Sequence, residues 1–169
     1  MTIALMKNME KNINKVKIGK KNRARGKAFE VRVRKNLENK GWIVDRWTNN
    51  IEFLTLVPAK AKWNNFTKSM MMGSGGFPDF ICLTQIKELE GKEFRKILID
   101  EIKNKEPILY EVIGVEVKSN GYLDKIEKQK CQWYLDNNIF SKILIASKHK
   151  IKNRIHIEYE DFNEKYGTR

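Results

Sequence analysis

The segment "IGVEVKS" at residues 113–119 constrains the fold of this chain more than any other. Branched apolar residues occupy every second position, which predicts a β-strand with one buried face. Side chains two apart on a strand point the same way, so Glu116 and Lys118 share the opposite face. Alone, they would form a surface ion pair that contributes at most roughly 1 kcal/mol. A functional role for this pair therefore requires partners from elsewhere in the chain.

Length and composition indicate one globular domain outside the membrane. The 169 residues are 41% hydrophobic, and no apolar run reaches the roughly 20 residues needed to cross a bilayer. Cys82 and Cys131 show no C-x-x-C spacing, and His149 and His156 lie too far apart in sequence for a helical zinc pair. The sequence predicts a cytoplasmic protein, or one of the host cytoplasm if the chain is viral, with any metal held by carboxylates.

Positive charge is concentrated at the N-terminus. The net charge is +13, and residues 1–35 alone carry twelve basic residues against Glu10 and Glu30. This favours a flexible basic arm at 1–24 that attracts nucleic acid. An anionic membrane surface is a weaker alternative, since the arm lacks an apolar stripe, and a solubilising tail is another. The candidate nucleic-acid-binding residues are Lys20, Lys21, Arg23, Arg25 and Lys27.

The pattern along the chain predicts an α/β or α+β domain, with a central mixed β-sheet flanked by helices. Phe29, Val33 and Leu37 form one helical stripe that ends before Gly41. Strands are expected at 42–47, from Phe80 to Leu83, around Glu116, at 142–148 and at 154–159, and a second helix at 121–138. Residues 48–72 give no firm prediction beyond a possible strand at 51–57, and 86–110 are expected to form an excursion.

Two carboxylates are expected to meet at one point of this sheet. Asp79 precedes a strand and Glu116 lies in the next clear one, and sequential strands are usually neighbours. Adjacent carboxylates repel unless a hard cation such as Mg²⁺ or Mn²⁺ offsets their charge. With Lys118 beside them, they have the chemistry needed to hydrolyse a phosphodiester.

At these residues the chain resembles a known superfamily. "FPDFICL" followed by "GVEVKS" is similar to the PD-(D/E)XK nucleases, and "RGKAFEVRVRKNLENKGWIV" resembles the first helix of archaeal Holliday-junction resolvases and related phage endonucleases. The resemblance implies a restriction-endonuclease-like core within a single nuclease domain at 25–169, with insertions near 48–72 and 84–110. It implies Asp79, Glu116 and Glu30 as metal ligands, Lys118 and Gln129 as further catalytic residues, and Arg25 near DNA.

The function implied is that of a Mg²⁺-dependent endodeoxyribonuclease, with four-way junctions as one candidate substrate. A resolvase cuts two opposed strands, so a homodimer is expected. Trp47, Phe53, Leu54 and the Met run at 70–72 are apolar surface candidates for pairing. An exonuclease or single-strand nuclease on the same core, and a non-catalytic nucleic-acid-binding module, are the alternatives.

Overall fold

The computed structural model of the protein describes residues 3–59, 62–65, 69–71, 76–86, 109–152 and 154–167. At 3–14, 62, 64 and 69–71 it describes the backbone alone. Most of the predicted insertion at 84–110 lies outside the described residues, as do parts of the one at 48–72.

Three helices and nine strands make up the described chain. The helices are α1 (Ile3–Asn39), α2 (Lys125–Asp136) and α3 (Phe162–Tyr166). The strands are β1 (Ile43–Arg46), β2 (Asn49–Glu52), β3 (Thr55–Pro58), β4 (Lys62–Asn64), β5 (Ser69–Met71), β6 (Phe80–Gln85), β7 (Tyr110–Val117), β8 (Lys142–Ile151) and β9 (Arg154–Asp161).

Five of these strands form one mixed sheet, in the order β1-β6-β7-β8-β9. β7 and β8 are parallel, and the other three neighbouring pairs are antiparallel. A parallel pair needs a long crossover connection, and α2 lies within the one between β7 and β8. The predicted mixed sheet flanked by helices is therefore confirmed.

One face of the sheet packs against the C-terminal half of α1. Phe29, Val33 and Leu37 are at most 2% exposed and contact sheet residues that include Ile113 and Val115. Burying each of these side chains contributes about 1.5–3 kcal/mol. The helical stripe read from the sequence is therefore the stripe that anchors α1.

The opposite face packs against α2 and α3. Tyr134, Phe140 and Phe162 are buried there among the inward-facing residues of β8. Trp47 belongs to this cluster and donates a hydrogen bond from Nε1 to Tyr134 Oη at 3.1 Å. The expectation that Trp47 is free for subunit pairing is wrong, because its indole is committed to the core. Ile126 of α2 does not belong to this packed face and is 62% exposed.

The N-terminal segment is helical where the sequence predicts a flexible arm. α1 begins at Ile3 and continues without a break into the anchored half of the same helix. No Gly or Pro occurs before Gly19, and Lys and Met are good helix formers, so the helix can extend backwards once its C-terminal half is fixed. Its side chains from Lys15 to Arg25 are exposed apart from Gly19. No helix in the described part of the chain is long and apolar enough to cross a membrane.

The possible strand at 51–57 is a β-hairpin. β2 and β3 pair antiparallel, with Glu52 opposite Thr55, so the connecting loop is the two residues Phe53 and Leu54. Ile51 and Leu56 on its stem pack against the α2 face of the sheet. A second hairpin pairs β4 with β5.

Candidate active site at the sheet edge

The topology brings several strand ends to one edge of the sheet. Arg46, the last residue of β1, lies opposite Phe80, the first residue of β6. Phe80 in turn lies opposite Val115 near the end of β7. Asp79, Glu116 and Lys118 are therefore neighbours in space although 37 residues separate the two acids in sequence. The predicted meeting of these three residues is borne out by the geometry.

Backbone hydrogen bonds lock the two carboxylates together. The Asp79 N–H donates to Glu116 Oε2 at 3.2 Å, and the Val117 N–H donates to Asp79 Oδ2 at 3.0 Å. Each strand end thus supplies an amide to the acid of its neighbour. Glu116 is only 5% exposed, on the α2 side of the sheet, so its strand face is not the solvated face of an ordinary surface strand.

Burial makes these acids reluctant to ionise. Loss of hydration raises the pKa of Glu116 to about 8, and the nearby charge of Asp79 adds to the effect. Burial likewise raises the pKa of Asp79 to about 6, with a further contribution from the charge of Glu30. Both acids are therefore harder to ionise than free carboxyl groups, although the charge of Lys118 partly offsets the rise in both pKa values.

Lys118 follows the end of β7, and its side chain contacts Glu116 and Glu127. Its Nζ lies 3.2 Å from Glu116 Oε1 and also donates to Glu127 Oε1. Desolvation opposes its charge, but the bond to Glu127 and the charge of Glu116 outweigh this and raise the pKa of Lys118. Lys118 is therefore a cation and a hydrogen-bond donor at neutral pH, not a base.

Glu127, which the sequence analysis missed, connects Lys118 to the start of α2. The Glu127 N–H donates to Asp124 Oδ1 at 2.8 Å, and the Asp124 N–H donates to Glu127 Oε2 at 2.9 Å. This reciprocal pair is a capping box, which satisfies free amides at a helix start. The D-x-x-E spacing in "DKIE" is the signal that would have predicted it. One glutamate thus caps α2 with one oxygen and holds Lys118 with the other.

A cleft of about 320 Å³ opens in front of Asp79 and Glu116, and Lys118 is not among the residues that line it. Its lining residues are Asn50, Gly76, Phe77, Asp79, Glu116, Asp124, Ile126, Glu127 and Lys130. Gln129, predicted to face the site, is exposed on α2 and does not line this cleft. Its neighbours in the helix, Glu127 and Lys130, do so instead, since a helix turns about 100° per residue.

Glu30 approaches the same edge from α1 but is held by another partner. Its Oε2 accepts a hydrogen bond from Arg46 Nη2 at 3.2 Å. Burial is the main reason that the pKa of Asp79 is raised, and the negative charge of Glu30 makes a smaller contribution in the same direction. Glu30 lines a different, smaller cleft that also includes Lys27, Arg34 and Arg46.

The donor set suits a hydrated cation more than a fully enclosed one. Among the residues described, no three His, Cys, Asp or Glu side chains gather as ligands for one ion, so the expected trio of Glu30, Asp79 and Glu116 is not assembled. Two carboxylates are nevertheless enough for Mg²⁺, which keeps several waters and often takes only one or two protein carboxylates. Asp79 and Glu116 fit this pattern, and their raised pKa values indicate that a cation would stabilise them both.

Basic side chains line a second groove on the α1 face. It encloses about 230 Å³ and is lined by Arg25, Ala28, Phe29, Arg32, Lys148 and Ile155. Lys148 lies over the ring of Phe29 at 4.5 Å, and its N–H donates to Ser119 O at 3.4 Å. The groove thus adjoins the end of β7 that carries Lys118. Lys20, Lys21, Arg23 and Lys27 are exposed along α1.

No protein-family model, curated protein or solved structure matches this chain.

Proposed function

We propose that this protein is a metal-dependent endodeoxyribonuclease with a PD-(D/E)XK-type site, and that its core belongs to the restriction-endonuclease-like class. The observation that carries the proposal is the locked pair of Asp79 and Glu116 with Lys118 at its side. A surface ion pair would have no need of a buried Glu116 that is hydrogen-bonded to a half-buried Asp79. A structural core would not gather them where a cleft opens.

Asp79 and Glu116 would hold Mg²⁺ or Mn²⁺ through one oxygen or more each. The cation would supply Lewis acidity, offsetting the charge that builds on a phosphate and acidifying a nearby water. Glu30 would act on this site through its charge on Asp79 while it remains paired with Arg46.

Lys118 does not itself line the cleft, but its Nζ contacts Glu116 and Glu127, which do, and from there it would donate a hydrogen bond to a phosphate oxygen. Because Glu127 and Glu116 hold its Nζ in place, this donor is oriented before substrate arrives. In the reaction, a water oxygen bonds to phosphorus as the bond from phosphorus to one deoxyribose oxygen breaks. The proton lost by the water leaves to solvent, and the departing oxygen gains one, so a phosphomonoester and a hydroxyl result.

The basic groove and the exposed face of α1 support a polyanionic substrate. Arg25, Arg32 and Lys148 are suited to contacting phosphates beside the cleft, without selecting a base sequence. DNA is the proposed substrate, and a homodimer with paired sites would suit cutting at a four-way junction. The exposed groups of α1 extend this basic surface away from the sheet.

The test is a cleavage panel of linear, single-stranded, flapped and four-way DNA, with matched RNA strands, in Mg²⁺, Mn²⁺ or chelator. Wild type is compared with Lys118→Ala and with the control Lys125→Ala, which removes an exposed lysine from the start of α2. We expect metal-dependent internal cuts that Lys118→Ala slows by about 10²-fold or more and the control leaves unchanged.

The pattern of cuts separates the candidates. Paired nicks confined to four-way DNA would indicate a junction resolvase, whereas a strict need for free ends would indicate an exonuclease. Binding without any cutting in either metal would refute the enzymatic proposal and favour a nucleic-acid-binding module.

A further inference from the structure

The tip of the β2–β3 hairpin exposes two large apolar side chains. Phe53 is 100% exposed and Leu54 is 78% exposed. The stem behaves differently, since Ile51 and Leu56 pack against the core. The hairpin is therefore anchored at its base, and its tip exposes two apolar side chains to solvent.

The backbone at this tip is also unfavourable for the residues it carries. Phe53 has φ 51° and Leu54 has φ 57°, both in the left-handed region. A two-residue hairpin loop with positive φ at both positions strongly prefers Asn-Gly or Asp-Gly, because a branched or bulky side chain is strained there. Strain and apolar exposure thus coincide at the same two residues. Folding alone would select neither, and such a coincidence points to function.

The stem of the hairpin is attached to the segment that carries Asp79. The Trp47 N–H donates to Asp79 O at 3.2 Å, and the Phe77 N–H donates to Asn49 O at 2.9 Å. Asn50, in β2, lines the cleft of the carboxylates. Three residues along a strand span about 10 Å, so the tip stands about that far from the cleft wall. The hairpin is a short, rigid projection from the rim of the candidate active site.

We propose that Phe53 and Leu54 form a wedge that inserts between stacked bases of the nucleic acid whose phosphate enters the cleft. This inference rests on the proposed function. Apolar side chains inserted at a base step unstack it and kink the duplex. A distance of about 10 Å corresponds to about three steps of the 3.4 Å rise along one strand. The wedge would therefore act close to the cut.

This position predicts the substrate class. Unstacking is least costly where the stack is already interrupted, as at a flap, a junction or a mismatch. The wedge would therefore favour DNA with a break in stacking about three steps from the scissile phosphate. It would give shape selectivity without contacts to base edges, which suits a basic surface that contacts phosphates.

A second copy of the chain is a less suitable occupant. A stable interface covers about 800 Å² on each partner, and a two-residue tip supplies only a small part of that. The rigid mounting beside the carboxylates and the net charge of +13 both favour a polyanion.

The test replaces the tip by the residues that its turn prefers, Phe53→Asn with Leu54→Gly. The control is Ile151→Asn, a 47% exposed apolar residue in β8 next to another turn. Thermal unfolding should show the tip variant stabilised by about 2–4 °C, because strain is relieved. In an Asp79→Asn background, binding to a flap with 2-aminopurine near the branch should raise fluorescence, and the tip variant should abolish that rise.

With wild-type carboxylates, the tip variant should lose about tenfold or more of its preference for branched over single-stranded DNA. The control, Ile151→Asn, should keep both the fluorescence rise and the preference for branched DNA. An unchanged fluorescence rise and preference would overturn the wedge while the nuclease proposal stands. Loss of self-association in sedimentation, with DNA signals intact, would instead identify the tip as a contact between copies. If wild type neither binds nor cuts any DNA, the proposed function and the wedge both fail.

Discussion

The sheet edge and the N-terminal half of α1 both concentrate charge, but they hold it differently. At the edge, Asp79, Glu116 and Lys118 are partly or fully buried, and each is bonded to another group of the site. Along α1, the basic side chains of residues 15–27 are exposed, and no acidic residue occurs within that segment. Chemistry at the edge should therefore depend on every single group. The contribution of α1 to DNA affinity should depend on how many basic side chains it carries.

The largest effect is expected when one carboxylate of the edge loses its charge. Asp79→Asn should slow DNA cleavage by about 10²–10⁴-fold, because it removes the negative charge of one of the two carboxylates that would hold the proposed cation but keeps the shape of the side chain. Single-turnover cleavage in Mg²⁺ measures this loss. Asp45→Asn, an exposed acid on β1, is the matched control and should cut normally. Equal activity in both variants would remove Asp79 from the site.

A second expected effect is the pH dependence of stability without metal. Folding raises the pKa of Glu116 from 4.5 to about 8, so the folded state binds the extra proton between these values. The stabilising contribution is thus complete below about pH 4.5 and is lost as pH rises through about 8, a change of a few kcal/mol. Urea unfolding at pH 5, 6.5 and 8 measures it.

Glu116→Gln should remove most of the loss of stability between pH 6.5 and 8 and leave the part due to Asp79, whose pKa is raised to about 6, whereas the exposed Glu158→Gln should leave the profile unchanged. Added Mg²⁺ should stabilise wild type more at pH 8 than at pH 5, because it replaces the proton. A wild-type profile as flat as that of Glu116→Gln would show that the buried acid does not titrate in this range.

The basic side chains of α1 are expected to contribute to DNA affinity through their number. Replacing Lys20, Lys21 and Arg23 by Ala should reduce the slope of log affinity against log salt by about 2.7 for duplex DNA if all three contact phosphates. Fluorescence anisotropy measured over about 50 to 300 mM salt gives the slope for wild type and for the triple variant. Lys142→Ala, at the far end of β8, should leave the slope unchanged. A triple variant with the wild-type slope would make this half of α1 a solubilising helix.

The smallest effect is expected for one side chain of the basic groove. Arg32→Ala should weaken duplex binding by about three- to tenfold and lower the salt slope by about 0.9, with the cleavage rate at saturating DNA unchanged. Titration of both quantities distinguishes a phosphate contact from a catalytic one. A fall in the cleavage rate at saturating DNA, with affinity unchanged, would assign Arg32 a role in the chemical step. It would also weaken the contrast between the sheet edge and α1.

Local patterns predicted the parts of this molecule that depend on neighbouring residues alone. The stripe of Phe29, Val33 and Leu37 and the alternation around Glu116 gave a helix and a strand where the structure has them. Patterns failed where tertiary contacts decide. Trp47 looked like a surface residue, but the bond to Tyr134 places it in the core. Gln129 looked like a site residue, but the phase of α2 turns Glu127 and Lys130 to the cleft.

The sequence by itself determined the sheet-and-helix class, the excess of positive charge and the presence of Asp79, Glu116 and Lys118, because composition and periodicity are local properties. Only the tertiary structure decided that Glu116 is buried, that Glu127 holds Lys118 and that Arg46 holds Glu30. It also decided that Phe53 and Leu54 stand as an exposed point beside the cleft. The physical reason is that burial, pKa and orientation arise from groups that are distant in sequence and meet only when the strands pair.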